Sequence, residues 1–176
     1  MENNFRLLKP DNELWMKFLS SVNYDFYHTP DYLILEANKL NGRPAAIYIQ
    51  NNENTLFIPL IIREIPSSDY LDAISPYGYP CPLFLKNELN TIIPLIKFLP
   101  EALKSFNIIS AFIRLHPILS DYDFNPFIVG KLVNHGRTVY IDLNKSNSEI
   151  WRQTRSTTKN LINQLKREGF QASLDI

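Results

Sequence analysis

The sequence predicts a mixed α/β domain, and three observations carry that prediction. Two amphipathic helix patterns stand near the N-terminus, a hairpin pattern follows them, and a further helix pattern separates that hairpin from two strand-like runs. The 176 residues suffice for one domain with a proper core, and 45% hydrophobic with 20% charged residues describes a globular chain.

The elements follow in order. "DNELWMKFLSSV" places Leu14, Trp15, Phe18, Leu19 and Val22 at helical spacing. "HTPDYLILEANKLNG" starts a second helix with Thr29 as N-cap, Pro30 in the first turn and Asp31 at the positive end, and Gly42 ends it. "RPAAIYIQ" and "TLFIPLIIREI" flank the turn-forming "NNEN" and read as a hairpin over 43–65. Residues 88–106 have helical apolar spacing interrupted by Pro94 and Pro100, which predicts a kinked helix or two short ones. "NIISAFIRLHPIL" gives a strand ending near Pro117, "DYDFNPF" a loop, and "RTVYIDL" a second strand of β-branched and aromatic residues. "IVGKLVNHG" fits no single pattern. Ser146 and Glu149 form a capping box that opens the last helix, and Gly169 closes it. "FQASLDI" then alternates like a strand. The hairpin is expected in one sheet with 107–115 and 137–143.

Charge is unevenly placed beneath a formal net charge of zero. Residues 151–167 hold five Lys or Arg and no acid, which leaves 13 bases against 18 acids elsewhere, a net of about −5. One cysteine, Cys81, excludes an internal disulfide and a cysteine-based metal site, and fits a reducing compartment. The first 20 residues have no apolar core segment and read as no signal peptide, and "LFIPLII" is far too short to span a membrane. A cytoplasmic protein that does not span the membrane is expected. The five glycines form no dinucleotide or P-loop pattern, and His28, His116 and His135 lack metal-ligand spacing.

Three features carry possible chemistry. "DAISPYGYPCPLF" (72–84) concentrates Pro76, Pro80 and Pro82 with Tyr77, Gly78, Tyr79 and Cys81, so it is neither helix interior nor central strand. It is either a connector whose rings cap the core or a groove wall that offers tyrosine faces and hydroxyls to a ligand. "AFIRLHP" puts Arg114 and His116 on one strand face, where arginine serves as a structural partner or as a fork for phosphate or carboxylate. Arg152, Arg155, Lys159 and Lys166 form a stripe beside Ile150, Thr154, Thr158, Leu161 and Leu165, either a solvated face or a site for anions.

Five stretches in order, "FYHTPDYL" (26–33), "ISPYGYPCPLF" (74–84), "FIRLHP" (112–117), "GRTVYIDL" (136–143) and "SEIWRQTRSTTKNLINQLKREGF" (148–170), resemble the FemAB-like branch of the GNAT acyltransferase superfamily. That branch includes the peptidoglycan interpeptide-bridge aminoacyltransferases. The resemblance implies a GNAT-like mixed sheet flanked by helices over residues 1–144, the acceptor-binding half. It makes residues 145–176 the basic helix and first strand of a second, truncated GNAT-like domain. It implies transfer of an aminoacyl or acyl group to an anionic cell-envelope acceptor, such as a nucleotide-linked or lipid-linked sugar. The expected acceptor contacts are Tyr77, Gly78, Tyr79, Arg114, His116, Arg152, Arg155 and Lys159. No catalytic residue is identified, and no metal or cofactor is expected within these residues. The acyl donor, aminoacyl-tRNA or acyl-CoA, would come only with a complete second domain, so the chain alone is expected to be inactive. Cys81 stands where the family's loop carries glycine, and Thr157, Thr158 and Asn160 thin the basic run. A non-catalytic module binding RNA or an acidic protein is the alternative.

Overall fold

The computed structural model describes residues 4–51, 54–119 and 129–173. Contacts divide the chain into two units, Met1–Asn134 and His135–Ile176.

The first unit is a mixed α/β layer structure. Its elements are β1 (Asn4–Leu8), α1 (Glu13–Leu19), a 3-10 turn (Phe26–His28), α2 (Pro30–Lys39), β2 (Arg43–Asn51), β3 (Asn54–Glu64), β4 (Leu71–Ile74), β5 (Leu83–Phe84), α3 (Leu89–Ser105) and β6 (Ile108–Phe112). The sheet order is β1-β2-β3-β4-β6, with β5 also pairing β3. All pairs are antiparallel except β4 with β6, which α3 joins as a crossover.

Side-chain alternation assigns the two faces. Ala45, Ile47 and Ile49 of β2 and Leu56, Ile58, Leu60 and Ile62 of β3 pack with Ile92, Leu95, Ile96, Leu99 and Ala102 of α3. Ala46, Tyr48 and Phe57 point the other way, toward Trp15, Phe18 and Leu19 of α1 and Leu33 of α2. Phe57 centres that second layer: Phe18 stacks on it at 5.2 Å and Trp15 meets it edge-on at 5.2 Å. β3 is buried on both faces along Asn54–Ile62, which explains why it reads as a continuous apolar run.

The hairpin forms as expected, with Asn51 opposite Asn54; the turn between them lies outside the described residues. Asn12 caps α1 by accepting the Leu14 N–H at 3.0 Å. α2 begins at Pro30 behind Thr29, but the Thr29 hydroxyl donates to the Phe26 carbonyl instead of capping the helix. At its end the left-handed residue is Asn41, φ 50°, and not Gly42. Gly42 answers a different need: a Cβ there would lie 2.4 Å from Ile61 Cγ2.

Of the two forms expected for 88–106, one helix of 17 residues containing Pro94 and Pro100 is found and not two short ones, because its apolar stripe is buried on the sheet and outweighs the missing donors. Three expectations are corrected. Residues 137–143 form no strand; Val139, Tyr140, Ile141 and Leu143 are 65–85% exposed, and β-propensity without a partner strand builds nothing. In the second unit the basic helix is two helices, α4 (Asn147–Gln153) and α5 (Ser156–Arg167), broken at Thr154 and Arg155. Thr154, Ser156, Thr157 and Thr158 around that junction are weak helix formers, the Thr154 hydroxyl bonds back to the Ile150 carbonyl at 2.9 Å, and neither helix has a buried residue to restore continuity. Residues 170–173 are irregular and not a strand, and 174–176 lie outside the described residues. The expected loop "DYDFNPF" also lies outside them. β1 and the 3-10 turn are additions that the sequence reading lacked. No helix among the described residues is long and apolar enough to cross a membrane.

Candidate functional site

Residues 26–33, 74–84 and 112–117, far apart in sequence, meet at one place on the first unit. The loop between β4 and β5 is the centre of that meeting, and it is tied at its start, middle and end.

At its start, Ser75 donates its N–H to the Phe112 carbonyl at 2.8 Å, extending the parallel pairing past β4. Arg114 returns the grip: its backbone N–H donates to Ser75 Oγ at 3.0 Å, and its Nη1 donates to the carbonyls of Ser75 (2.8 Å) and Pro76 (3.3 Å). The same guanidinium sits 5.0 Å over the Phe112 ring. Arg114 thus serves as a structural partner, to two carbonyls in place of a carboxylate. These carbonyls need it, since Pro76 and the coil around it offer no ladder partner.

In the middle, the Tyr32 hydroxyl donates to the Tyr77 carbonyl at 3.1 Å. Gly78 has φ +94°, and a Cβ on it would lie 2.2 Å from Tyr27 Cε1. The sequence made this glycine a point of close approach between main chain and ligand; the close approach found is to the protein's own Tyr27 ring. Tyr79 lies edge-on to Tyr27 at 6.4 Å and to His116 at 6.2 Å. Tyr77 (73% exposed), Phe26 (54%) and Tyr79 (39%) form the outer surface of the cluster.

At its end, Cys81 is buried with Trp15 and Phe57, and its carbonyl accepts Nε2–H of the buried His28 at 3.1 Å. His28 Nδ1 accepts the Asp25 N–H at 3.2 Å, closing a capping box around the 3-10 turn. Burial holds the His28 imidazole below its usual range, more strongly than the carbonyls of Asp25 and Cys81, 3.0 and 3.1 Å from its two nitrogens, pull it upward. Asp25 joins the second histidine to the first. Its Oδ1 accepts the Phe26 N–H, and its Oδ2 accepts from His116 Nε2 at 3.2 Å. His116 Nδ1 accepts the N–H groups of Ile118 and Leu119, both at 3.0 Å, which fixes the ring hydrogen on Nε2. Both nitrogens of both imidazoles are therefore engaged in holding backbone and loop. Desolvation raises the Tyr27 and Tyr32 phenols above their usual range, aided by Asp25 and Glu36 respectively, so both rings stay neutral hydrogen-bonding groups.

Of the expected contacts, Tyr77, Gly78, Tyr79, Arg114 and His116 are thus brought together. Arg152, Arg155 and Lys159 belong to the second unit. Arg152 lies in the last turn of α4, Arg155 precedes α5, and Lys159 donates to the Arg152 carbonyl at 3.0 Å. Asp25, Tyr27, His28 and Tyr32 escaped the sequence reading as site residues. "FYHTPDYL" did hold a signal, two tyrosines and a histidine beside a helix start, but a lone histidine has no spacing to announce its partners. Among the described residues, no group of three or more His, Cys, Asp or Glu could hold a metal ion.

Compared with protein-family models, with curated proteins and with solved structures, the chain finds no match.

Proposed function

We propose that the chain is the acceptor-binding part of a FemAB-like aminoacyl- or acyltransferase acting on a cell-envelope precursor of peptidoglycan or polysaccharide. One observation carries this reading: the three stretches 26–33, 74–84 and 112–117, each part of the family resemblance, converge on one tyrosine-bearing loop. A GNAT-like form of the sheet belongs to the same proposal, supported by the single parallel junction of β4 with β6 through α3.

The exposed rings of Tyr77 and Tyr79 offer apolar faces and hydroxyls to a nucleotide-linked or lipid-linked sugar. Arg114 and His116 are positioning residues, holding the loop so that little ordering remains to be done when the acceptor arrives. The reaction then requires the acceptor amine or hydroxyl to meet the acyl donor and lose a proton. The first unit supplies the acceptor's place in this reading.

One feature of the second unit favours the alternative of an RNA- or acidic-protein-binding module. Trp151, 39% exposed, has the ammonium groups of Lys159 and Lys166 each 5.9 Å from its ring, a stacking face flanked by cations. A thermal-shift screen separates the two readings. UDP-linked amino sugars should raise the melting temperature of the whole chain. A rise with single-stranded RNA or an acidic peptide and none with the sugars would favour the module.

A further inference from the structure

A concavity lies on the α3 face of the same unit, and neither Tyr77 nor Tyr79 lines it. Its origin is in the pairing of β3. The edge of β3 away from β2 is shared by two partners, β5 at Leu56 and Phe57 and β4 at Ile61–Glu64. Between them stands Pro59, which has no N–H to offer a strand there. Leu56 and Ile58 of β3, Phe84 of β5, Leu99 of α3, Ile108 of β6 and Ile113 just after that strand line a groove of about 750 Å3 near this break. That volume lies within the range of small-molecule sites.

The groove's charge is one-sided. Its lining includes Lys104 and Lys131 and, among the described residues, no Asp or Glu. Lys104 and Lys131 are thus the charged groups of its lining among the described residues. Apolar walls with two lysines among them fit one chemistry: an extended hydrocarbon with an anionic end.

We propose that this groove binds a medium-length acyl or alkyl chain bearing a carboxylate or phosphate head, the chain against the apolar walls and the head at Lys104 and Lys131. Neither Tyr77 nor Tyr79 lines it, although Pro82 and Phe84 of the same 74–84 stretch do, and its test with hydrocarbon anions is separate from that of the acceptor reading.

Titration calorimetry on the whole chain, with probes kept below their micelle concentrations, tests this. Hexanoate, octanoate and decanoate should bind about fourfold more tightly for each added methylene, the ratio expected for a fully buried CH2. Decyl phosphate should bind as well, and the tighter of the two ten-carbon anions identifies the natural head as carboxylate or phosphate. Decyltrimethylammonium should bind at least tenfold more weakly than either. The double variant Lys104→Glu with Lys131→Glu, both exposed side chains, should remove or reverse that preference. Ala111→Trp, which fills the groove, should weaken decanoate at least tenfold; if it does not fold, the lysine variant decides. Affinity independent of chain length, equal binding of the cationic probe, or an unchanged preference in the lysine variant would overturn the proposal.

Discussion

Gly78 and His28 show how single residues set the loop. A side chain at Gly78 would have to share space with the Tyr27 ring and adopt φ +94°, whereas Tyr77 beside it is 73% exposed. Gly78→Ala should therefore lower stability by roughly 1–3 kcal/mol or more, the cost of a strained backbone with a clash added. Chemical denaturation checks this, and a neutral Gly78→Ala would mean the loop is not clamped to Tyr27. His28 gives the cluster a pH dependence with a defined sign. Its folded-state pKa is lowered from 6.5, so the unfolded chain binds the proton more readily. The stability it contributes is complete above pH 6.5 and is lost as pH falls below that value toward the folded pKa. The melting temperature should drop between pH 7.5 and 5.5, and by less in His28→Gln. Equal drops in the two proteins would assign the effect elsewhere.

Elements that signal their own ends were the legible ones. The capping box at Ser146 and Glu149 is present with both of its reciprocal bonds, and Gly169 takes φ +87°. The Ser146 hydroxyl and N–H, both bonded to its carboxylate, hold Glu149 below the usual range. Ser146→Ala should cost α4 about 1 kcal/mol, read as lost helical circular dichroism; an unchanged spectrum would mean the cap does not matter there. Elements that depend on partners were not legible. "RTVYIDL" has strong β-propensity yet lies exposed and outside any sheet, while burial against the sheet decides that the proline-interrupted pattern of α3 is one helix and not two. β1 was missed for the complementary reason: "NFRLL" is too short and too mixed to read as a strand, and its pairing with β2 is what makes it one.

On the scale of the molecule, a mixed α/β unit was legible because both periodicities are strong: β2 and β3 divide their residues between two helical layers. The site was legible only in part. Tyr77, Gly78 and Tyr79 stand out as rings and a glycine among prolines, but Asp25, His28 and Tyr32 matter through contacts across 45 to 91 positions, which no local pattern encodes. Arg114 and His116 were visible as charged groups on a strand, and their task of holding carbonyls and N–H groups became visible only with the fold. The role proposed for this held loop is acceptor binding, and the affinity of Tyr77→Ala for a UDP-linked amino sugar, measured by calorimetry beside its melting temperature, tests it. Binding should weaken by roughly 1–3 kcal/mol, the scale of a lost polar contact to ligand, with the melting temperature nearly unchanged. Undiminished affinity in Tyr77→Ala, or a large fall in its melting temperature, would contradict it.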